Sequence, residues 1–364
     1  MRTHASPPLR LFSLLLLAGA VLVGSLGGCS PDRTASAEKA DSAEKADAAS
    51  KAKAASAADA AGSWDAFIDA PTLKNWKASE SNLVIVDARP AKKYEAGHIP
   101  GAVNVPGSQW RTPSRSPGEG PSKYIFRTEG GDGSTPDVAR YERFLSKNGI
   151  GDSSRVIVYG DYGGNKTGTL PVMLLRWLGH EDAHFLDGVG LQQWKRAGYG
   201  VSTEPRTLSE ASFTADPQKN FLWTTEEVKS ALDKKNVVIV DTRSKAEYTG
   251  ENARENDRGG HIPGAVRVNY SNLMHWPDRT TLSPRKAQAV LDEKGLSAKA
   301  DTTYVLHCQT ATRVSENYLV MKDLGYENVA VYDASWHDWG NREDTPIVTG
   351  DAQGSAQGAS GGGR

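Results

Sequence analysis

The sequence predicts an α/β protein built from two tandem domains, each a mostly parallel sheet flanked by helices. Three observations point there. Short runs rich in β-branched residues alternate with helical patterns through the body of the chain, the signature of strand–helix–strand units. The body also repeats itself. Leu83-Val-Ile-Val-Asp87-Ala-Arg89 and His98-Ile-Pro-Gly-Ala-Val103 return as Val237-Val-Ile-Val-Asp241-Thr-Arg243 and His261-Ile-Pro-Gly-Ala-Val266. Finally, each copy carries a later apolar run, Arg155 to Tyr159 and Thr303 to His307. Each run is followed by a helical stretch, a Leu-Gly pair (Leu178, Leu324), a short strand and a tryptophan-bearing segment (Trp194; Trp336 and Trp339). The 364 residues suffice for two hydrophobic cores.

In chain order, residues 1–28 read as a bacterial export signal, with Arg2 and Arg10 before the apolar core from Leu11 to Val23. The apolar run is short for a membrane span. Leu26-Gly27-Gly28-Cys29 resembles a lipobox, which implies cleavage before Cys29 and acylation of its sulfur. Ser30 in the next position implies, by the same resemblance, the outer membrane. The expected location is the bacterial cell envelope, lipid-anchored and facing the periplasm. Residues 29–64 are Ala, Ser, Lys, Asp and Glu with no apolar face and read as a solvated tether. The first domain is expected over 65–204, a polar linker with two prolines over 205–220, the second domain over 221–350, and a Gly/Ser tail over 351–364.

Hydrophobic content of 38%, charged content of 24% and a net charge of −1 give no basic surface for nucleic acid. The chain has 2 cysteines, far apart and with separate fates, which excludes a disulfide framework and a cysteine-rich metal site. Neither a ligand cluster nor a phosphate-binding loop stands out. Gly160 to Gly168 is glycine-rich but lacks the Gly-Lys-Ser/Thr ending. No metal or organic cofactor is implied.

The stretch with chemistry in it is Tyr304-Val-Leu-His-Cys308-Gln-Thr-Ala-Thr-Arg313. An apolar strand ends at Cys308, a polar loop follows, and Val314, Leu319, Val320 and Leu324 then fall near helical spacing. Backbone amides of such a strand–turn–helix can cradle an anion, and the following helix terminus adds partial positive charge. This setting favours a thiolate at Cys308. A lone cysteine is more commonly a buried structural residue, but the polar loop and Arg313 argue for reactivity. His307 neighbours Cys308 on an extended strand and so faces the other way. It is expected to pack behind the loop. His98 and His261 are expected to fix the turns before Ile-Pro-Gly.

These residues resemble the rhodanese family of sulfurtransferases in its two-domain form, over roughly residues 65–350. The motifs are Asp-x-Arg after a strand, Gly-His-Ile-Pro-Gly-Ala, the strand–Cys–loop–helix, and Val331-Tyr-Asp-Ala-Ser-Trp336. The resemblance implies a catalytic second domain and an inactive first one, where Asp161 stands near the cysteine position. It implies a persulfide on Cys308, loaded from a small-molecule sulfur donor and unloaded to cyanide or another thiophilic acceptor such as a thiol. The amides of Gln309, Thr310, Ala311 and Thr312 would hold the donor's sulfur, and Arg313 would orient the donor or brace the loop. Arg243 either contacts the donor's anionic group or pairs with Asp241 or Glu247. The loop lacks both the basic residues of thiosulfate-type members and the Gly-Ser-Gly-Val-Thr of mercaptopyruvate-type ones, and Ala311 stands where a glycine is usual. Arg313 is similar to the loop-ending arginine of single-domain rhodaneses, which favours thiosulfate, with 3-mercaptopyruvate as the alternative. Two rivals remain. One is a cysteine phosphatase, whose signature needs five residues between Cys and Arg where this chain has four. The other is a non-enzymatic binding module on the same fold.

Overall fold

The computed structural model describes residues 64–111, 125, 136–161 and 165–351, with residues 165–167 by backbone alone. The proposed signal, Cys29, nearly all of the tether, residues 162–164 of the glycine-rich stretch and the tail beyond Asp351 lie outside the described residues. No helix among the described residues is long and apolar enough to cross a membrane.

Two sheets form, one from each copy of the repeat. The first contains β1 (Phe67–Ile68), β2 (Leu83–Asp87), β3 (Ala102–Asn104), β4 (Arg155–Tyr159) and β5 (Ala183–Leu186), in the order β1-β5-β4-β2-β3. The second contains β6 (Leu222–Trp223), β7 (Val237–Asp241), β8 (Val266–Arg267), β9 (Thr303–His307) and β10 (Val329–Tyr332), in the order β6-β10-β9-β7-β8. All pairings within the sheets are parallel. Register repeats as well: Asp87 lies beside Tyr159, and Asp241 beside His307. Helices α1 (Ala70–Ser79), α2 (Ala91–Glu95), α3 (Val138–Lys147), α4 (Asn165–Trp177) and α5 (Gly190–Arg196) accompany the first sheet. With the second go α6 (Thr225–Ala231), α7 (Lys245–Thr249), α8 (Pro284–Asp292), α9 (Val314–Asp323) and α10 (Ser335–Trp339). Helix starts follow local chemistry. Thr224 with Glu227, and Ser244 with Glu247, form reciprocal caps at α6 and α7.

Strand alternation divides the core. Ile85 and Ile157 face a cluster belonging to the first sheet alone, and Ile239 and Val305 one belonging to the second. Their neighbours Val84, Val86, Val158, Val240 and Leu306 face the opposite way, into one cluster shared by both domains. There α4 packs against α9. Every residue of α9 from Val314 to Met321 is buried, because sheet covers one side and the first domain the other. Residues 205–220 contain no helix or strand, yet Ala211 and Asp216 bond to Ser146 and Leu178 of the first domain, and Phe213 is buried.

Two carboxyls of the shared interface, the partly buried Asp187 and the buried Glu316, meet at one hydroxyl. Asp187, after β5, accepts bonds from Thr281 N and Oγ1, and Glu316 on α9 accepts from the same hydroxyl at 3.2 Å. Burial pushes Asp187 up to about 6. Burial, followed by the charge of Asp187, raises Glu316 well above the carboxylate range. Both groups therefore hold a proton to higher pH in the fold than in the unfolded chain. Their contribution is complete below the unfolded carboxylate pKa and is lost as pH rises through the folded value. Raising pH from about 4 to about 7 is expected to cost on the order of 3 kcal/mol through Asp187. Asp187→Asn should flatten that slope in thermal melts. An unchanged slope would show the pair to be solvated.

Candidate active site

The site grows from the end of β9. Cys308 follows the strand and is 1% exposed. The loop behind it is tied to the start of α10. Trp336 N and His337 N donate to the carbonyls of Cys308 and Gln309, both at 3.0 Å. Ser335 Oγ accepts from Cys308 N at 3.3 Å and Ala311 N at 3.0 Å, and donates to Tyr332 O at 2.8 Å. Ala311 sits at φ +50°, the left-handed region that suits glycine. That conformation costs an alanine about 1–2 kcal/mol, and the bond to Ser335 offsets part of it. The sequence places the Ala311 amide in the anion cradle. The structure corrects this, because that N–H is already used by Ser335. The amides of Gln309, Thr310, Thr312 and Arg313 have no hydrogen-bond acceptor among the described residues. These four remain available to an anion at the sulfur.

Arg313 ends the loop and lies just before α9. Its Nη1 and Nη2 each donate to one oxygen of Glu247 at 2.7 Å. Glu247 is the third residue of α7 and closes the cap begun by Ser244, so its oxygens also accept from Ser244 N and Oγ, and from Arg254 at 3.2 Å. Burial alone would raise Glu247, but the bonds and charge of Arg313, with help from Ser244, hold it well below the usual carboxylate range. Burial likewise opposes charge on Arg313, yet Glu247 and the nearby Cys308 sulfur carry it above the usual arginine value. Of the two roles considered for Arg313, the geometry is that of a brace.

Arg243 is placed differently from the donor contact considered above. It is 1% exposed and pairs with Asp241 through Nε at 3.0 Å and Nη2 at 2.6 Å. Nη2 also donates to Gly260 O at 2.7 Å, and the guanidinium lies 4.1 Å over the Trp336 ring. The first copy makes the same clamp, with Arg89 bonding Asp87 at 2.5 Å and Gly97 O at 2.7 Å. A pair present in the copy without a thiol belongs to the fold, where it ties a strand end to the Gly-His-Ile-Pro-Gly turn. His98 and His261 serve that turn too, each stacked at 3.7 Å on a tyrosine and bonded to that tyrosine's carbonyl. His307 is wholly buried, 3.5 Å from Asp241, and burial pushes it down to about 4. It is neutral at physiological pH and lies behind the loop.

The Gln309 side chain exchanges bonds with Asn256, at 2.9 and 3.3 Å, so it faces the segment between α7 and β8. Thr312 Oγ1 accepts from Arg111 of the first domain at 3.1 Å. Thr310 contributes its carbonyl to Thr312 and is half-buried. In the first copy Asp161 ion-pairs with Lys93 near the equivalent place. Sequence reasoning gave no role to Ser335, Asn256 or Arg111. Ser335 stood within a motif already singled out, whereas nothing local marked the other two.

The Rhodanese-like domain family matches residues 69–197 and again 224–342. A thiosulfate sulfurtransferase of Pseudomonas aeruginosa is 31% identical over 276 residues, covering 73% of this chain and 90% of that protein. One from Azotobacter vinelandii is 31% identical over 272 residues, covering 74% and 93%. Among solved structures, the anaerobic ergothioneine biosynthesis enzyme of Chlorobium limicola superposes with a TM-score of 0.68 at 22% identity, covering 79% of this chain and 71% of that one, a likeness of fold. With two domain matches, two sheets of one topology and relatives matched over nearly their whole length, the chain belongs to the rhodanese-like family.

Proposed function

We propose that the protein is a sulfurtransferase that carries a sulfane sulfur on Cys308, taking it from thiosulfate and giving it to cyanide or a thiol. The observation that carries this reading is the loop after β9, where a thiol is followed by four amides without acceptors among the described residues. The names of the two bacterial relatives support the donor class. In the first half-reaction the Cys308 thiolate attacks the outer sulfur of thiosulfate. A new S–S bond forms, the donor's S–S bond breaks, and sulfite leaves with the electron pair. The amides of Gln309, Thr310, Thr312 and Arg313 stabilise the charge on the terminal sulfur, as an oxyanion hole does for oxygen. In the second, cyanide attacks that sulfur, thiocyanate leaves and the thiolate returns. The two strokes imply ping-pong kinetics.

Arg313 keeps the loop open as a cradle because Glu247 holds its guanidinium in place. Cys308 is 1% exposed, so donor entry involves displacement of the side chains around it. Mass spectrometry tests the reading. Protein treated with thiosulfate and then freed of it should carry one additional sulfur on Cys308 and release it as thiocyanate when cyanide is added. No gain of sulfur would leave the binding-module reading in its place. A large steady-state preference for 3-mercaptopyruvate would keep the chemistry and change the donor.

A further inference from the structure

Arg111 belongs to the first domain, directly after the 3-10 turn Gly107–Trp110. Its Nη1 crosses the domain boundary to Thr312 Oγ1, within the loop that begins at Cys308. Its Nη2 is buried and has no hydrogen-bond partner among the described residues. A guanidinium stays charged and offers five donors, and a buried charged donor left unmatched is costly. The arginine is nonetheless held there, since Arg140 Nη2 donates to its carbonyl at 2.8 Å. Nearby, Tyr141 bonds Ile125 O at 2.6 Å and Ile125 N donates to Asp333 at 2.9 Å, so this part of the first domain is fastened to the second beside α10. Burial lowers the pKa of Arg111, while negative charge on Cys308 and then Asp333 acts to raise it. Of the neighbouring cations, Arg313 lies beside the Cys308 sulfur with its charge matched by Glu247, and Arg140 also keeps a buried Nη1 without a hydrogen-bond partner among the described residues.

We infer that Arg111 binds the donor: its Nη2 receives the anionic end of the small sulfur compound whose outer sulfur Cys308 attacks, so the first domain completes the site of the second. The ligand class is a small anion ending in a sulfonate or carboxylate, either of which presents oxygens to a guanidinium. The identity of the donor rests on the sulfurtransferase reading above. The presence of an anion contact does not.

Two measurements on the full chain, with Arg111→Ala and Arg111→Lys, test this. In ping-pong kinetics kcat/KM for thiosulfate reports loading and kcat/KM for cyanide reports unloading. Arg111→Ala is expected to lower the first by about 10–100-fold, as for loss of a charge-assisted hydrogen bond, and to change the second by less than about threefold. Arg111→Lys should recover part of the loss, because it keeps the charge without the planar fork. Equal falls in both constants would mean that Arg111 only positions the loop through Thr312, and would overturn the inference.

The second measurement needs no sulfur transfer. Alkylation of Cys308 by iodoacetate and by iodoacetamide forms the same S–C bond with loss of iodide, but only iodoacetate carries a charge. The rate ratio of the two should fall by about tenfold or more in Arg111→Ala, for the same reason. Thermal melts identify any variant that misfolds, and Arg111→Lys then serves alone. An unchanged ratio in a folded variant overturns the contact. Failure of thiosulfate to load the wild type, with the ratio still dependent on Arg111, would instead remove the donor assignment and leave the anion contact standing.

Discussion

Replacing Cys308 by serine is expected to reduce thiosulfate-dependent thiocyanate formation at least about 10⁴-fold, the scale seen when a nucleophile is removed from a covalent mechanism. A hydroxyl in the same cradle cannot hold a sulfane sulfur as a persulfide does. The substitution is nearly isosteric, so the buried position behind β9 should remain filled and the fold intact. The chain's other cysteine, Cys29, lies outside the described residues and offers an internal control. Cys29→Ser should leave turnover unaffected. Activity within tenfold of wild type in Cys308→Ser would move the chemistry elsewhere and remove the site described above.

Truncating Glu247 should give the largest loss of stability. Glu247→Ala leaves the Arg313 guanidinium buried without its carboxylate, and breaking one side of a buried pair costs about 3–5 kcal/mol. For a protein of this size that corresponds to a fall in Tm of roughly 10 °C. Arg254 contributes from the exposed side, where screening reduces its share. The loop should suffer along with the fold, because Arg313, which already lies beside the Cys308 sulfur, would lose the carboxylate that fixes its guanidinium. The double variant Glu247→Gln with Arg313→Met removes both charges, and its stability should recover part of what Glu247→Ala loses. A Tm within about 2 °C of wild type for Glu247→Ala would show that the pair is solvated and does not brace the loop.

The link from Glu247 to Arg313 also shows where sequence reading stops. Glu247 is locally legible as the third residue of a cap that begins at Ser244, and Arg313 as the end of a polar loop. They are 66 residues apart, and only the docking of α7 beside the β9 loop makes them partners. Arg243 was legible as a charged residue at a strand end. Its orientation depended on Gly260 O, presented by a distant turn, and on the Trp336 ring. The Ala311 amide was misplaced for a related reason. A loop's donors can be counted from sequence, but which of them are already used depends on an outside acceptor, here the Ser335 hydroxyl.

Whatever repeats or alternates along the chain can be read from its residues alone: two parallel sheets from two copies of one pattern, the strand–thiol–loop–helix at Cys308, and the absence of a thiol at the matching place in the first copy. Those features follow from side-chain periodicity and local turn chemistry, which act within a few residues. Tertiary structure alone decided the rest. It set the Arg313 guanidinium against Glu247, turned Arg243 inward, and brought Arg111 across 201 residues to Thr312. The physical reason is that a buried charge must find its counter-charge or hydrogen-bond partner wherever packing places one, and packing joins segments that the order of the chain keeps apart.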